Sequence, residues 1–211
     1  MSAPESSAVQ IGAAKLEALV GVPEEAKGLV IFAHGSGSGR LSPRNNHVAQ
    51  ALRCAGLATL LLDLLTPAEE RDRANVFDIA LLASRLSLAT DWAAEQPGLA
   101  SLPVGYFGAS TGAGAALVAA SSSDARIAAI VSRGGRPDLA GDALARVRAP
   151  TLLIVGGLDG PVIDLNRRAR ERLTAHSKLV IVPGASHLFE EPGTLDEVVR
   201  HATAWFLAYL A

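Results

Sequence analysis

Six short apolar runs recur along the chain, and each is followed by a turn and a stretch with helical character. Each run holds five or six mostly apolar residues without clean polar alternation, which is typical of strands covered on both faces. Strands that alternate with helices favour a three-layer α/β architecture, in which a mainly parallel sheet carries helices on both faces. The runs are residues 28–33, 58–63, 103–107, 127–132, 151–155 and 178–182.

The stretches between these runs carry helix signals. Ser42 and Pro43 are the residue types preferred at an N-cap and at the first helical position, and Gly56 is typical of a helix end. Ahead of the first parallel run, residues 8–11 and 16–22 have the pattern of a short antiparallel edge. Further helices are predicted near residues 77–95, 111–120, 162–173 and 194–210.

Length and composition limit the class of protein. A chain of 211 residues favours a single domain over residues 1–211, long enough to bury one well-packed core. Hydrophobic residues make up 49 % and charged residues 19 %, which excludes an intrinsically disordered chain. A net charge of −2 provides no electrostatic footprint for nucleic acid or an anionic membrane. We therefore expect neither of these partners.

The single cysteine and the amino-terminal residues bear on the cellular compartment. Cys54 can form neither an internal disulfide nor a cysteine-based zinc site, and we interpret it as a small buried residue of the first helix. The first seven residues lack the basic flank and apolar stretch of a secretory signal. The longest apolar stretch, residues 57–65, is too short to span a bilayer. These features predict a cytoplasmic protein, and either a monomer or a homodimer is compatible with them.

The loop after the third run matches the pattern G-x-S-x-G over residues 108–112, with Ser110 at its centre. A serine between a strand and a helix sits on a sharp turn that projects its hydroxyl, and only small neighbours let the backbone pass so closely. The amides that begin the following helix also favour negative charge beside it. The pattern predicts a nucleophile at Ser110; the simpler alternative is a glycine-rich turn that only packs a helix on the sheet.

A nucleophilic serine needs a base, and the base needs an orienting acid. Asp159 lies in the loop after residues 151–155, and His187 lies in the loop after residues 178–182. Both loops follow strands at the same sheet edge, in the order serine, acid, histidine. We therefore expect Asp159 and His187 to complete a triad with Ser110.

Both partners also have structural alternatives. Asp159 could cap the helix that begins near Val162, and Asp164 is the nearest rival acid, although it falls within the helical pattern. The other histidines lie on helices, ahead of a strand or in the first loop, so they suit the role of base less well. They are His34, His47, His176 and His201.

The loop after the first run, HGSGSG at residues 34–39, stands where a backbone N–H supplies half of an oxyanion hole. We expect Ser36 to donate that N–H, with Gly37 as the alternative, and Thr111 to donate the second. His34 is expected to brace the loop by a hydrogen bond. The glycines do not follow G-x-G-x-x-G, and no Gly-Lys-Ser/Thr follows them, so nucleotide binding is not predicted.

Three residues near this edge are candidates for contact with a substrate. Arg133 follows the fourth run and could pair with a substrate carboxylate, although a structural ion pair with Asp138 or Asp159 is the simpler interpretation. Arg40 has the same ambiguity. Leu188 could line an acyl pocket or simply pack.

Two further stretches bear on how open such a site is. The charged residues 66–75 either form a solvated loop or fold over the site. Fewer than twenty residues separate the strand ending at Ser132 from the strand beginning at Thr151, which leaves little length for a cap. An open site of this kind favours short or medium acyl groups.

The chain resembles the α/β hydrolases, and more narrowly their small dienelactone-hydrolase-like branch. The resemblance rests on residues 34–38, 108–112, 157–159 and 186–187, so it spans nearly the whole chain. It implies an α/β-hydrolase fold with a minimal cap or none, and hydrolysis through an acyl-enzyme intermediate without a metal or organic cofactor. It implies Ser110 as nucleophile, His187 as general base and Asp159 as orienting acid. Dienelactone hydrolases use a cysteine nucleophile, so the serine here favours general ester chemistry.

These observations together predict a serine hydrolase of the carboxylesterase type, acting on a small-molecule ester. The same triad could hydrolyse thioesters or lactones, or transfer acyl groups. The alternative from a different class is a non-catalytic α/β domain that binds a ligand.

Overall fold

In the computed structural model, which describes residues 5–122, 124 and 126–211, eight strands form one sheet. They are β1 (Ser7–Ile11), β2 (Leu16–Gly21), β3 (Leu29–Ala33), β4 (Ala58–Leu62), β5 (Val104–Ala109), β6 (Ile127–Arg133), β7 (Thr151–Gly156) and β8 (Ser177–Val182). Their order across the sheet is β1-β2-β4-β3-β5-β6-β7-β8. The pairs β1–β2 and β2–β4 are antiparallel, and every other pair is parallel. The predicted mainly parallel sheet with an antiparallel edge is confirmed.

The α-helices of the described residues connect these strands and follow the last one. Ser42 begins the first helix, because its hydroxyl accepts a hydrogen bond from the Asn45 N–H at 3.4 Å, and Pro43 occupies the first helical position. Two 3-10 segments, Glu69–Arg71 and Pro137–Arg146, complete the connections. The helices are α1 (Pro43–Cys54), α2 (Arg73–Val76), α3 (Ile79–Ala94), α4 (Thr111–Ala120), α5 (Gly160–Arg172) and α6 (Thr194–Leu210).

Helices cover both faces of the sheet, which explains the uninterrupted apolar runs in the sequence. In β3, Leu29, Ile31 and Ala33 belong to the core shared with α3, α4 and α5. Val30 and Phe32 of the same strand belong to the opposite core, shared with α1 and α6. Because successive side chains of a strand point to opposite faces, a strand buried on both faces is mostly apolar and lacks a polar alternation.

The predicted boundaries agree with the observed ones to within two residues. Helix α5 begins at Gly160, earlier than expected, because Pro161 fits the first turn of a helix. The interpretation of Cys54 as a buried residue is wrong: it is the last residue of α1 and its side chain is exposed. The connection between β6 and β7 holds only the 3-10 segment Pro137–Arg146, so the expected absence of a large cap agrees with the fold.

Helix α6 is amphipathic and packs on the sheet. It buries Trp205 and Phe206, as expected for a core-facing helix, and carries Asp196 and Glu197 in its first turn, where acidic groups interact favourably with the helix dipole. None of the helices in the described ranges combines the length and apolar character needed to cross a membrane.

The order of the strands creates a crevice at one edge of the sheet. β3 lies between β4 and β5, so the chain passes from one side of β3 to the other. In open parallel sheets, the loops that follow the two strands at such a point diverge and leave a ligand-binding crevice at the carboxyl ends. The glycine-rich loop after β3 and the turn at Ser110 after β5 are the two loops concerned.

The close approach of α4 to the end of β3 leads to a prediction for Gly112. A Cβ atom there would collide with the carbonyl oxygens of Ala33 and His34, which belong to rigid backbone. We expect Gly112→Ala to lower the free energy of unfolding by about 3 kcal/mol or more, since overpacking against backbone cannot relax. Urea denaturation monitored by circular dichroism measures this.

Gly160 provides the matched control, because nothing lies within 4 Å of a Cβ atom placed there and it begins a helix. Gly160→Ala is expected to be neutral or stabilising, within about 1 kcal/mol. Equal stability losses in the two variants would contradict the proposed packing constraint.

Candidate active site

Ser110 lies on the turn between β5 and α4 in a backbone conformation that is rare for a residue with a side chain. Its φ is +49° and its ψ is −122°, which is a strained geometry that persists only where the surroundings enforce it. The Ser110 N–H donates to the Arg133 carbonyl at 3.3 Å, and the Ser110 carbonyl accepts from the Arg136 N–H at 3.0 Å. This is the conformation that the G-x-S-x-G pattern predicts.

Asp159 and His187 meet across two neighbouring loops. Asp159 Oδ2 lies 2.6 Å from His187 Nδ1, a distance typical of a charge-assisted hydrogen bond. The Asp159 side chain is 14 % exposed and the His187 side chain 38 %, so the acid is well covered while the imidazole reaches solvent. Asp159 occupies the N-cap position of α5, yet its side chain makes no capping hydrogen bond. The carboxylate therefore orients the imidazole, with Nδ1 as donor and Nε2 left as an acceptor.

Further hydrogen bonds hold the loop that carries His187. The Gly157 N–H donates to the Val182 carbonyl at 2.8 Å, which joins this loop to the one that carries the acid. Glu191 Oε2 accepts from the Ser186 N–H at 2.9 Å. That hydrogen bond holds the pKa of Glu191 below its ordinary value. The imidazole thus stands on a loop fixed on both sides.

Ser110 and His187 line one cleft of about 790 Å³ at the carboxyl edge of the sheet. Residues 35–39, the start of α1 and Leu188 also line it. Its charged lining residues, within the described part of the chain, are Arg44, Arg133 and Glu70. The cleft therefore brings a serine hydroxyl, an oriented imidazole and two guanidinium groups to one place.

The loop after β3 is braced as expected. The Leu64 N–H donates to His34 Nε2 at 3.0 Å, and His34 Nδ1 lies 2.9 Å from the Gly35 carbonyl oxygen. Because Nε2 is an acceptor, the proton of a neutral ring lies on Nδ1, which donates to that carbonyl. His34 therefore holds the loop and is not free to exchange protons with Ser110.

The amide of Ser36 is engaged by a side chain of the turn at Ser110. The Ser36 N–H donates to Thr111 Oγ1 at 3.1 Å. Gly37, the alternative donor, has a φ of +69° and lies in the same turn, which is closed by the hydrogen bond from the Ser38 N–H to the Gly35 carbonyl at 3.2 Å. The predicted oxyanion residues are thus neighbours, and Thr111 contributes a hydroxyl as well as a backbone amide.

Arg133 is buried at the end of β6, with 8 % of its surface exposed, and it lines the cleft. The structural ion pair expected for it is not formed. Asp138 binds Arg136 at 2.7 Å, and Asp159 binds His187. Burial and the nearby Arg44 guanidinium lower the pKa of Arg133 to about 10, so the group is still cationic at neutral pH.

The other two candidate substrate residues differ in their positions. Arg40 forms an ion pair with Asp63 and lies 3.9 Å from Glu17, so its guanidinium secures the loop after β3. Arg40 does not line the cleft, and the structure does not support its predicted contact with substrate. Leu188 does line the cleft and is 40 % exposed, as expected for a wall residue.

The rival acid and bases lie elsewhere. Asp164 pairs with Arg167 at 3.1 Å on the exposed side of α5. His47 pairs with Asp196 at 3.2 Å, and the His176 ring stacks on Trp205. His201 lies 3.7 Å from Glu197, with 19 % of its side chain accessible. None of these four lines the cleft with Ser110.

Sequence reasoning missed Arg44 and Glu70, which line the cleft, and Asn45, which binds the cleft residue Arg133. Arg44 binds Glu190 at 2.9 Å, a pairing across 146 positions that no local pattern predicts. Asn45 is buried beneath Arg133 and accepts a 3.4 Å hydrogen bond from its Nη2. Glu70 comes from the charged stretch 66–75, so this stretch contributes to the cleft. The charged character of residues 66–75 was the only sequence signal for this contribution.

A second cavity, of about 680 Å³, lies at the amino ends of β5 and β6. The Tyr106 hydroxyl lies there, 2.7 Å from Thr90 Oγ1, and burial raises the pKa of Tyr106 to about 12. The cavity contains none of the predicted site residues. The Tyr106 hydroxyl in this cavity already has a hydrogen-bond partner, and the cavity lies at the opposite end of the sheet from Ser110.

Known structures share this architecture. No family model matches the chain. A dienelactone hydrolase from Anabaena variabilis superimposes with a TM-score of 0.94 at 56 % identity, over 99 % of both chains. Est1E from Butyrivibrio proteoclasticus superimposes with a TM-score of 0.80 at 17 % identity, over 97 % of this chain and 98 % of that one, which shows the fold alone. The protein is thus an α/β hydrolase in fold. At the identity it shares with the Anabaena enzyme over its whole length, it belongs to the dienelactone hydrolase family.

Two curated proteins of Mycobacterium tuberculosis, from strains CDC 1551 and H37Rv, are also similar. Each is 64 % identical over 189 residues, which is 90 % of this chain, and each carries the name "Putative phosphoribosyl transferase". The matched part is 43 % of their length, so this chain spans less than half of these relatives. Their name describes proteins of which more than half lies outside the match.

Proposed function

We propose that the protein is a serine hydrolase that cleaves carboxylic esters with short or medium acyl groups. The observation that carries this proposal is the 2.6 Å contact between Asp159 and His187, in the cleft that the strained Ser110 also lines. A binding domain has no need of an oriented imidazole beside a strained serine. The family relationship supports hydrolysis, and a serine nucleophile suits esters in general.

The proposed reaction has two halves. His187 Nε2 accepts the proton of Ser110 as its oxygen attacks the carbonyl carbon, and the imidazolium is stabilised by Asp159. The proton then goes to the departing alkoxide, which leaves Ser110 esterified. Water attacks this acyl-enzyme with His187 again as base, and the acid product departs as Ser110 regains its proton. These steps involve only protein groups and water.

The oxyanion of each tetrahedral intermediate would lie between the Thr111 amide and the loop of Ser36 and Gly37. Helix α4 begins at Thr111, so its amide end also favours the negative charge. Leu188 would contact the acyl chain. Because the described residues form no large cap over the cleft, we expect long chains to gain little additional binding.

Hydrolysis of 4-nitrophenyl esters from acetyl to dodecanoyl tests the proposal. We expect turnover with an optimum at short or medium chains, and a fall in kcat/KM of roughly 10⁴-fold or more in Ser110→Ala. Active-site titration controls for contaminating esterases. Full activity in the variant, or turnover highest for dodecanoyl, would contradict the nucleophile or the acyl preference respectively.

Substitutions of Asp159 and Asp164 distinguish the orientation of His187 by Asp159 from a general effect of a negative charge. Asp159→Asn should lower kcat by roughly 10⁴-fold, because an amide favours the wrong imidazole tautomer. Asp164→Asn removes the same charge from the exposed side of the same helix and should leave kcat within twofold, as expected for a surface ion pair. Stopped-flow release of 4-nitrophenol measures both, and similar losses in the two variants would rule out the assigned acid.

A further inference from the structure

Arg133 is a buried cation whose own chain leaves it unneutralised. Only 8 % of its surface is exposed to solvent. Within the described residues, its Nε and Nη1 atoms have no hydrogen-bond acceptor. Its Nη2 makes only a 3.4 Å contact with Asn45 Oδ1. A buried charged group normally has both a counter-charge and filled hydrogen bonds, so this exception calls for an explanation.

The nearby acids are committed to other partners. Asp138 makes two hydrogen bonds with Arg136, and Asp159 serves His187. Glu190 pairs with Arg44, whose own charge lies near enough to Arg133 to lower its pKa. The Arg44 guanidinium repels that of Arg133, so an anion bound in the cleft would stabilise the charged form of Arg133.

The position of Arg133 relates it to the reacting serine. Its carbonyl accepts the Ser110 N–H at 3.3 Å, and its side chain lines the same cleft. Helix α1 also begins in this cleft, at Ser42, Pro43 and Arg44, and a helix N-terminus favours anions. Glu70 is the opposing charge in the lining, and it is exposed on the outer stretch.

We propose that Arg133 binds an oxyanion carried by the substrate, so that the preferred substrates are esters bearing a carboxylate or phosphate group near the scissile bond. A guanidinium matches either group, since both present paired oxygens to its planar N–H donors. This assignment of substrate class rests on the proposed esterase function. The anion would fill the unmet hydrogen bonds of Arg133 while the ester carbonyl faces Ser110.

Binding without turnover tests the subsite independently of catalysis. In Ser110→Ala protein, isothermal titration calorimetry with glutarate and with inorganic phosphate should detect binding of at least one anion. We expect Arg133→Gln, added to this variant, to weaken that binding by about tenfold or more. Arg136→Gln is the matched control, because Arg136 lies in the same loop but is paired with Asp138 and does not line the cleft. Equal weakening by both substitutions, or binding of neither anion, would overturn the proposal.

Matched esters measure the same preference during turnover. The native protein should hydrolyse 4-nitrophenyl hydrogen glutarate, or the 4-nitrophenyl ester of 3-phosphonopropanoic acid, with a kcat/KM about tenfold or more above that for neutral 4-nitrophenyl pentanoate. The anionic ester whose kcat/KM exceeds that of the neutral ester by the larger factor shows whether Arg133 prefers a carboxylate or a phosphate-like group. Arg133→Gln should abolish the preference, and Arg133→Lys should retain part of it. A native preference for the neutral ester would contradict the proposal even if the variants do not fold.

The two assays separate this proposal from the function on which it rests. Anion binding that depends on Arg133, without hydrolysis of any ester, would uphold the subsite and refute the esterase. Hydrolysis of neutral esters, with neither anion binding nor a preference for anionic esters, would uphold the esterase and refute the subsite.

A second inference comes from the independent contact between Ser36 and Thr111. Thr111 Oγ1 accepts the Ser36 N–H at 3.1 Å, and the residue is 5 % exposed at the first position of α4. A hydroxyl that accepts one hydrogen bond keeps its own proton for another acceptor. We infer that this hydroxyl donates to the oxyanion beside the amide of Thr111, in place of the Ser36 N–H that it accepts. The Ser36 amide would then strengthen it by polarising the hydroxyl.

Two substitutions of Thr111 distinguish a hydroxyl that donates to the oxyanion from one that only occupies the oxyanion position. Thr111→Val keeps the shape but removes the hydroxyl, and it should lower kcat roughly 10- to 100-fold with little change in KM, whereas Thr111→Ser should retain most activity. Affinity for a boronic acid, a tetrahedral-intermediate analogue, should fall in Thr111→Val by a similar factor. A Val variant that is as fast as the native protein or faster would show that the hydroxyl merely occupies the oxyanion position. Melting temperatures establish that both variants are folded.

Discussion

The close contact between the start of α4 and the end of β3 is the constraint on which the site depends. Gly112 lies against the carbonyl oxygens of Ala33 and His34 with no room for a Cβ atom. This contact forces the sharp turn that gives Ser110 its positive φ, and it brings Thr111 to the amide of Ser36. Helix α4, the turn at Ser110 and the loop after β3 are therefore one packed unit, and strain at the serine is balanced by burial around it.

Around that unit, the polar groups fall into two kinds. His34, Asp63 and Glu191 have their partners within the protein and fix the loops. Within the described residues, the Nε and Nη1 atoms of Arg133 have no hydrogen-bond acceptor, and Arg133 lines the cleft. An unsatisfied buried group is costly, so one that also lines a cleft indicates a position where a ligand can supply the missing hydrogen bonds. The proposed substrate class follows from these unmet hydrogen bonds of Arg133.

Much of this arrangement could be predicted from local patterns. The six apolar runs predicted β3 to β8, because strands covered on both faces are mostly apolar, and the pattern of an antiparallel edge predicted β1 and β2. The elbow at Ser110 was predictable because only small residues permit its geometry, and the order of Asp159 and His187 along the chain placed them at the same sheet edge. The 2.6 Å contact between these two agrees with that expectation.

What escaped prediction depends on contacts between distant parts of the chain. The exposure of Cys54 reflects which side of α1 faces the sheet, and the short helix carries no pattern strong enough to show it. Glu190 pairs with Arg44, and Asp138 pairs with Arg136. Neither acid therefore forms an ion pair with Arg133. Ion pairs have little sequence signature, since any of several acids within reach can form them.

The central claim is that Ser110 is a nucleophile activated by His187, and covalent trapping tests it most directly. A fluorophosphonate probe of serine hydrolases should add once to the folded protein, and mass spectrometry of its peptides should place the adduct on Ser110. The reaction should become far slower in His187→Gln, because the serine then lacks its base. An adduct on another residue, or equal labelling of Ser110 without the histidine, would contradict the account.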